Sequence, residues 1–77
     1  KGLHGHALGA TGAMETAISA LALQRGHLPG TANLIDLDPA CDLDIIPPGG
    51  RDQQVSALLC NAFGFGGINA TLALRAI

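Results

Sequence analysis

Residues 8–25 carry the strongest periodic signal in this 77-residue chain, and what surrounds them limits everything else. Ala10, Met14, Ala17, Ile18 and Leu21 recur at three- and four-residue spacing, so a helix over this stretch places them on one face. Thr16, Ser19 and Gln24 fall elsewhere around the cylinder. Glu15 sits on the shoulder of the apolar stripe, where its charge calls for a partner. Gly26 supplies the stop after Arg25, and Pro29 forbids continuation. Beyond it, Pro29-Gly30, Asp38-Pro39, Pro47-Pro48 and Gly49-Gly50 punctuate a long connection with turns. Short apolar pieces at Leu34-Ile35 and Leu43-Asp44-Ile45-Ile46 are candidates for brief strands. At the end, Val55–Asn61 and Ala70–Leu74 read as two antiparallel strands joined by the glycine-rich bend Phe63-Gly64-Phe65-Gly66-Gly67. Leu72 and Leu74 share one face of the second strand, with Thr71, Ala73 and Arg75 on the other. The near-continuous apolar run Val55–Cys60 reads as a strand buried on both sides. The class is therefore α/β: one helix, a long connection and two antiparallel strands.

Such a chain has little with which to build a core of its own. It contains 11 glycines, 2 phenylalanines and no tryptophan or tyrosine, and many of its hydrophobic residues are alanine. Alanine buries little area, so the large side chains that usually stabilise a small domain are missing. A 24-residue connection and a strand with nothing to cover it point to an incomplete domain, a piece of something larger. Cys41 and Cys60 form no disulfide framework and no C-x-x-C motif, and are read as buried free thiols. With a net charge of −2 and four scattered Lys/Arg, no basic patch exists to favour nucleic acid. No apolar run approaches the roughly 18 residues a membrane span requires.

Two glycine-rich elements hold two of the three histidines and both phenylalanines. The first, Lys1 to Glu15, carries a lysine, His4 and His6 on a bend that runs into the helix. The pair His4-x-His6 invites a metal reading with His27 or a cysteine as third ligand, yet no ligand cluster of zinc-like spacing follows. The alternative is that both are hydrogen-bonded loop residues; His27, just past the helix end, is read as facing the C-terminal carbonyls. Gly5, Gly9 and Gly12 match neither dinucleotide nor P-loop spacing, so they are read as allowing tight turning and close packing at the helix start. The second element, Asn61–Asn69, holds both phenylalanines of the chain. It is read either as an ordinary hairpin bend with an aromatic plug or as a glycine hinge bearing a ring that gates a pocket.

The combination Lys1…Gly5-His6-x-Leu8-Gly9-Ala10-x-Gly12-Ala13-x-Glu15 with Asn61-x-Phe63-Gly64-Phe65-Gly66-Gly67-x-Asn69 resembles the C-terminal part of the β-ketoacyl-ACP synthases, the elongating condensing enzymes of fatty acid synthesis. Leu28-Pro29-x-Thr31-x-Asn33-Leu34 and Asp38-Pro39-x-Cys41-Asp42-Leu43-Asp44 are similar to the connecting segment of the same family. The resemblance runs in order over residues 1–77. It implies a segment of the synthase C-terminal domain and hence of the thiolase-like layered α/β/α/β/α fold. It also implies decarboxylative condensation of malonyl-ACP with an acyl thioester, in a homodimeric cytoplasmic enzyme that uses acyl carrier protein and neither metal nor other cofactor.

On this resemblance His6 matches the second active-site histidine, which hydrogen-bonds the malonyl thioester oxygen as charge develops there. Lys1 matches the active-site lysine, and Glu15 the helix glutamate that ties lysine and loop together. Phe65 matches the gating phenylalanine, whose backbone N–H contributes to the oxyanion hole. Phe63, Gly64, Gly66 and Asn61 are expected to shape the neighbouring substrate site. Two departures stand out: His4 replaces a threonine or small apolar residue, and Ile68 replaces a threonine. The family's nucleophilic cysteine and first histidine lie upstream of Lys1, and Cys41 and Cys60 occupy segments the family uses structurally, so the isolated chain is expected to be inactive. A polyketide ketosynthase, its chain-length partner subunit and a non-catalytic interaction module are the alternatives.

Overall fold

The computed structural model describes all residues, 1–77. A 3-10 turn, Leu8–Ala10, feeds directly into helix α1, Thr11–Arg25, so the helical signal over 8–25 holds to the residue. Gly26 ends it in the left-handed region at φ 65°, its N–H donating to Ala22 O at 2.9 Å. This αL residue after the last turn is where glycine avoids the Cβ clash that other residues suffer. Two-residue strands β1, His27–Leu28, and β2, Arg51–Asp52, pair antiparallel across the long connection. Strands β3, Ala57–Phe63, and β4, Asn69–Arg75, form the hairpin, with Ala57 opposite Arg75 and Phe63 opposite Asn69. No helix is long and apolar enough to cross a membrane.

The hairpin stands where the sequence places it, with the first strand shifted two residues along the chain and the second longer by one residue at each end. The brief strands expected at Leu34-Ile35 and Leu43–Ile46 are absent; the small sheet sits instead at 27–28 and 51–52. The reason is local hydrogen bonding. Ala40 N–H donates to Asp38 Oδ1 at 2.9 Å, and Leu43 and Ile45 N–H donate to Cys41 and Leu43 O, each at 2.9 Å. An Asx turn followed by three-residue turns uses donors that a ladder would have needed. The last part of the connection is then clamped. Arg51 grips the Asp44 carboxylate with both Nη atoms at 2.7 Å. That fork holds the Asp44 carboxyl below its ordinary range and raises the Arg51 guanidinium.

A further correction concerns which side of α1 is covered. The predicted apolar stripe of Met14, Ile18 and Leu21 remains more than a third exposed. The buried helix residues are Thr11, Ala22 and Leu23, and Ser19 reaches β3, where the Cys60 thiol donates to its hydroxyl at 3.1 Å. The packed stripe thus runs Thr11–Glu15–Ser19–Ala22, rotated by one residue, about 100°, from the apolar one. Small and polar side chains let the helix lie close on the hairpin, while the bulky stripe faces outward. The hairpin's opposite face is likewise open, with Leu59 and Phe63 exposed, so Val55–Cys60 is covered on one side and not on both. Both cysteines are free thiols, but Cys41 is exposed and Cys60 half-buried, against the expectation that both are buried.

Only Ala22 and Leu23 form the buried apolar core, and neither is fully shielded from solvent. A core this small cannot offset the entropy of ordering 77 residues. The 77-residue chain as a monomer is expected to melt broadly in calorimetry; a sharp two-state transition with monomeric mass would contradict this. At Gly30 a Cβ would run into Pro47 O and would stand 2.7 Å from Gly50 N, all backbone that cannot swing aside. Gly30→Ala in the full-length protein is therefore expected to lower the denaturation free energy by about 1–3 kcal/mol, read from chemical unfolding.

Candidate active site

The loop before α1 is built by short-range contacts. Gly5, at φ 79°, turns the chain so that its N–H donates to Lys1 O at 2.8 Å. Asn33, itself at φ 64°, donates through Nδ2 to Gly2 O at 3.1 Å and anchors this loop to the connection. Asparagine tolerates the left-handed region better than other residues with a Cβ. Leu8 also has a positive φ, 51°, at the point where the loop tightens into the 3-10 turn.

From this frame two side chains reach the first turns of α1. Lys1 Nζ donates to Glu15 Oε1 at 2.7 Å, which supplies the partner that the Glu15 charge required. The His6 Nδ1 lies 3.0 Å from Thr11 Oγ1. Thr11 and Glu15 are four residues apart and so stand one turn above another on the same face. The Lys1 hydrogen bond holds the Glu15 carboxyl below its ordinary range, opposed by partial desolvation and aided by the lysine charge.

On the far side, β3 and β4 carry the aromatic bend. Gly64 N–H donates to Ile68 O at 2.7 Å, closing it. Phe65–Gly67 forms a 3-10 turn with Gly66 at φ 77°. The Phe65 ring is fully exposed. Asn61 accepts from the Thr71 hydroxyl at 2.9 Å across the ladder, which fixes its amide.

Between the two elements lies an open groove of about 800 Å³. Lys1, His6 and Glu15 line one side, and Asn61, Phe63, Gly64 and Phe65 the other. Seven of the eight site residues singled out from the sequence therefore share one groove. Gly66 does not line it; its place is in the turn behind Phe65. His4 also stays off the groove, and Ile68 lines it. Neither cysteine reaches it. No three His, Cys, Asp or Glu side chains gather in a set that could hold a metal. His27 does not face the helix carbonyls as expected: its Nδ1 is 2.6 Å from Asp52 Oδ1, its cross-strand partner in the small sheet. Thr11 and Asn33 were missed as site residues. The signals were present: Thr11 is the one hydroxyl in an otherwise glycine and alanine run, and Asn33 is an asparagine at a turn.

Comparison with known sequences shows what the chain is similar to. Residues 1–35 match the family described as "Beta-ketoacyl synthase, C-terminal domain". The chain is 46% identical over all 77 residues to 3-oxoacyl-[acyl-carrier-protein] synthase 2 of Coxiella burnetii, covering 19% of that protein. It is 44% identical over 77 residues to nodulation protein E of a Rhizobium species, again covering 19%. A Streptomyces virginiae protein named as a polyketide beta-ketoacyl synthase is 47% identical over 74 residues, which is 96% of this chain and 18% of that one. Over 74 to 77 residues the chain is similar to proteins named as 3-oxoacyl-[acyl-carrier-protein] and polyketide beta-ketoacyl synthases. It spans about a fifth of the length of the curated relatives it matches.

The Lys1–Glu15 pair yields a measurable consequence. Because the folded carboxyl is depressed, the pair's contribution is present above the unfolded glutamate value of about 4.3 and fades as pH falls through the lower folded one. A carbon-13 titration of Glu15 is expected to show a midpoint below the ordinary range. Lys1→Met should return it upward; an unchanged midpoint would mean that the lysine does not govern Glu15.

Proposed function

We propose that this chain is a C-terminal segment of a 3-oxoacyl-ACP synthase, part of a thiolase-like layered domain, and that its groove is half of a condensing site. The observation that carries this reading is the convergence of His6, the Lys1–Glu15 pair and the Phe63–Phe65 bend on one groove. The two uncovered apolar surfaces, the Met14–Ile18–Leu21 stripe and the outer hairpin face, support placement within a larger layered fold.

In the proposed reaction an acyl group is held as a thioester on a cysteine of the enzyme. Cys60 is engaged by Ser19 and Cys41 lies on the connection, neither in the groove, so another part of the enzyme supplies that nucleophile. The isolated chain is accordingly inactive. Malonyl-ACP enters with its thioester carbonyl toward His6. The bond to its carboxylate breaks, carbon dioxide leaves, and the electron pair delocalises onto the thioester oxygen. The His6 imidazole N–H stabilises that oxygen as its charge grows, in a preorganised position that costs no rearrangement at the moment of reaction. The carbanion carbon then attacks the acyl thioester carbon, forming the new carbon–carbon bond and expelling the cysteine thiolate.

Lys1 acts through its positive field and, tied to Glu15, through the shape of the loop. Phe65 acts as a ring on a glycine-hinged bend at the groove's mouth, and its backbone N–H serves the oxyanion hole. Asn61, Phe63 and Gly64 form the adjoining wall, with Gly66 supplying the turn that aims Phe65. Acyl carrier protein is the partner that delivers both substrates, and the enzyme works as a cytoplasmic homodimer without metal or cofactor. The Streptomyces relatives favour a second reading, a polyketide ketosynthase segment with the same chemistry and a different acyl donor.

In the full-length protein, His6→Ala is expected to slow malonyl-ACP decarboxylation by about 10²–10³-fold, the cost of one oxyanion donor. Acylation of the nucleophile should largely persist. Equal loss of both steps, followed by mass spectrometry of the acyl-enzyme and by release of carbon dioxide, would contradict the role given to His6.

A further inference from the structure

We propose that Thr11 is the positioning residue that sets the tautomer of His6. The inference rests on the reading of His6 as an oxyanion donor for its functional consequence, but its geometry stands independently.

Thr11 is the buried polar side chain of this chain, only 6% exposed, at the first α-helical position. A buried hydroxyl must place its proton on an acceptor or bear the cost of leaving it unpaired. The polar side-chain atom within reach is His6 Nδ1, at 3.0 Å. No buried side-chain oxygen or nitrogen is left without a partner, so the Thr11 bond to His6 satisfies this hydroxyl.

The direction of that bond decides the histidine's chemistry. If Thr11 O–H donates to Nδ1, the neutral imidazole must carry its own proton on Nε2. The ring nitrogen left free is then a donor. If the ring donated from Nδ1 instead, the Thr11 proton would need a second acceptor, and Nε2 would present a lone pair that repels a developing oxyanion. The first arrangement satisfies both groups with one hydrogen bond. A ring nitrogen's role is generally set by the bond its sister nitrogen makes, and here a hydroxyl fixed on a helix makes it. Helix α1 holds Thr11 by its backbone, while Glu15, one turn on, holds the other end of the same loop through Lys1.

The test uses full-length protein labelled with nitrogen-15 histidine, the His6 signals assigned by their loss in His6→Ala. With the imidazole neutral, the wild type is expected to show a protonated Nε2 and an unprotonated Nδ1. Thr11→Ser keeps the hydroxyl and should preserve both that signature and decarboxylation of malonyl-ACP within about twofold. Thr11→Val keeps the shape and removes the donor; it should give a mixed tautomer and slow decarboxylation by about tenfold, the worth of one hydrogen bond. Thr11→Ala serves as a second hydroxyl deletion that favours the helix if valine strains the turn. A protonated Nε2 retained in both Thr11→Val and Thr11→Ala would overturn the inference, as would Thr11→Ser behaving like Thr11→Val. A tautomer that shifts while neither Thr11→Val nor His6→Ala alters decarboxylation would uphold Thr11's hold on the ring and overturn the condensing role of His6 instead.

Discussion

The first turns of α1 hold the preceding loop at two points, and the rest of the site depends on that grip. Thr11 meets His6, and Glu15 meets Lys1, four residues apart on one helical face. A glycine-rich loop has little conformational preference of its own, so without fixed partners its polar groups would sample many positions. The helix is the most regular element in the chain, and it lends that regularity to the loop. The same face continues through Ser19 to Ala22 and lies on the hairpin. One stripe of small and polar side chains therefore both positions the loop and sets its distance from the aromatic bend.

That arrangement has a cost in burial. Turning small residues toward the hairpin leaves Met14, Ile18 and Leu21 facing out. Close approach between α1 and β3 is gained where bulky side chains would have held them apart. The groove that results is lined by a cation, an imidazole and a carboxylate on one side and by aromatic and amide groups on the other. Thr11 is the one buried residue in its lining, and the ion pair leaves half of the lysine side chain exposed. Its electrostatic weight is therefore modest while open and grows only as water is excluded.

How far this was legible in the sequence differs from residue to residue. Helix α1 was, because Gly26 and Pro29 stop it by local sterics and its periodicity needs no tertiary partner. The hairpin was, because Gly64, Gly66 and Gly67 mark a bend between two apolar runs. The small sheet at 27–28 and 51–52 was not: two residues carry no period, and their partners lie across a 22-residue gap. His27 was misplaced for the same reason, since its partner Asp52 is distant in sequence. The residues that line the groove were singled out through a family likeness rather than through spacing, and Gly66, singled out with them, lies in the turn behind Phe65.

Local chemistry settled where the backbone turns, where it coils and that Glu15 would need a countercharge, because those follow from steric and electrostatic limits acting over a few residues. Packing alone settled which face of α1 is covered and that a lone threonine stands against His6. Those outcomes depend on the angle at which the helix meets the hairpin. An amphipathic pattern specifies that an apolar stripe exists, and a rotation of one residue about the helix axis decides whether it is the stripe that is used.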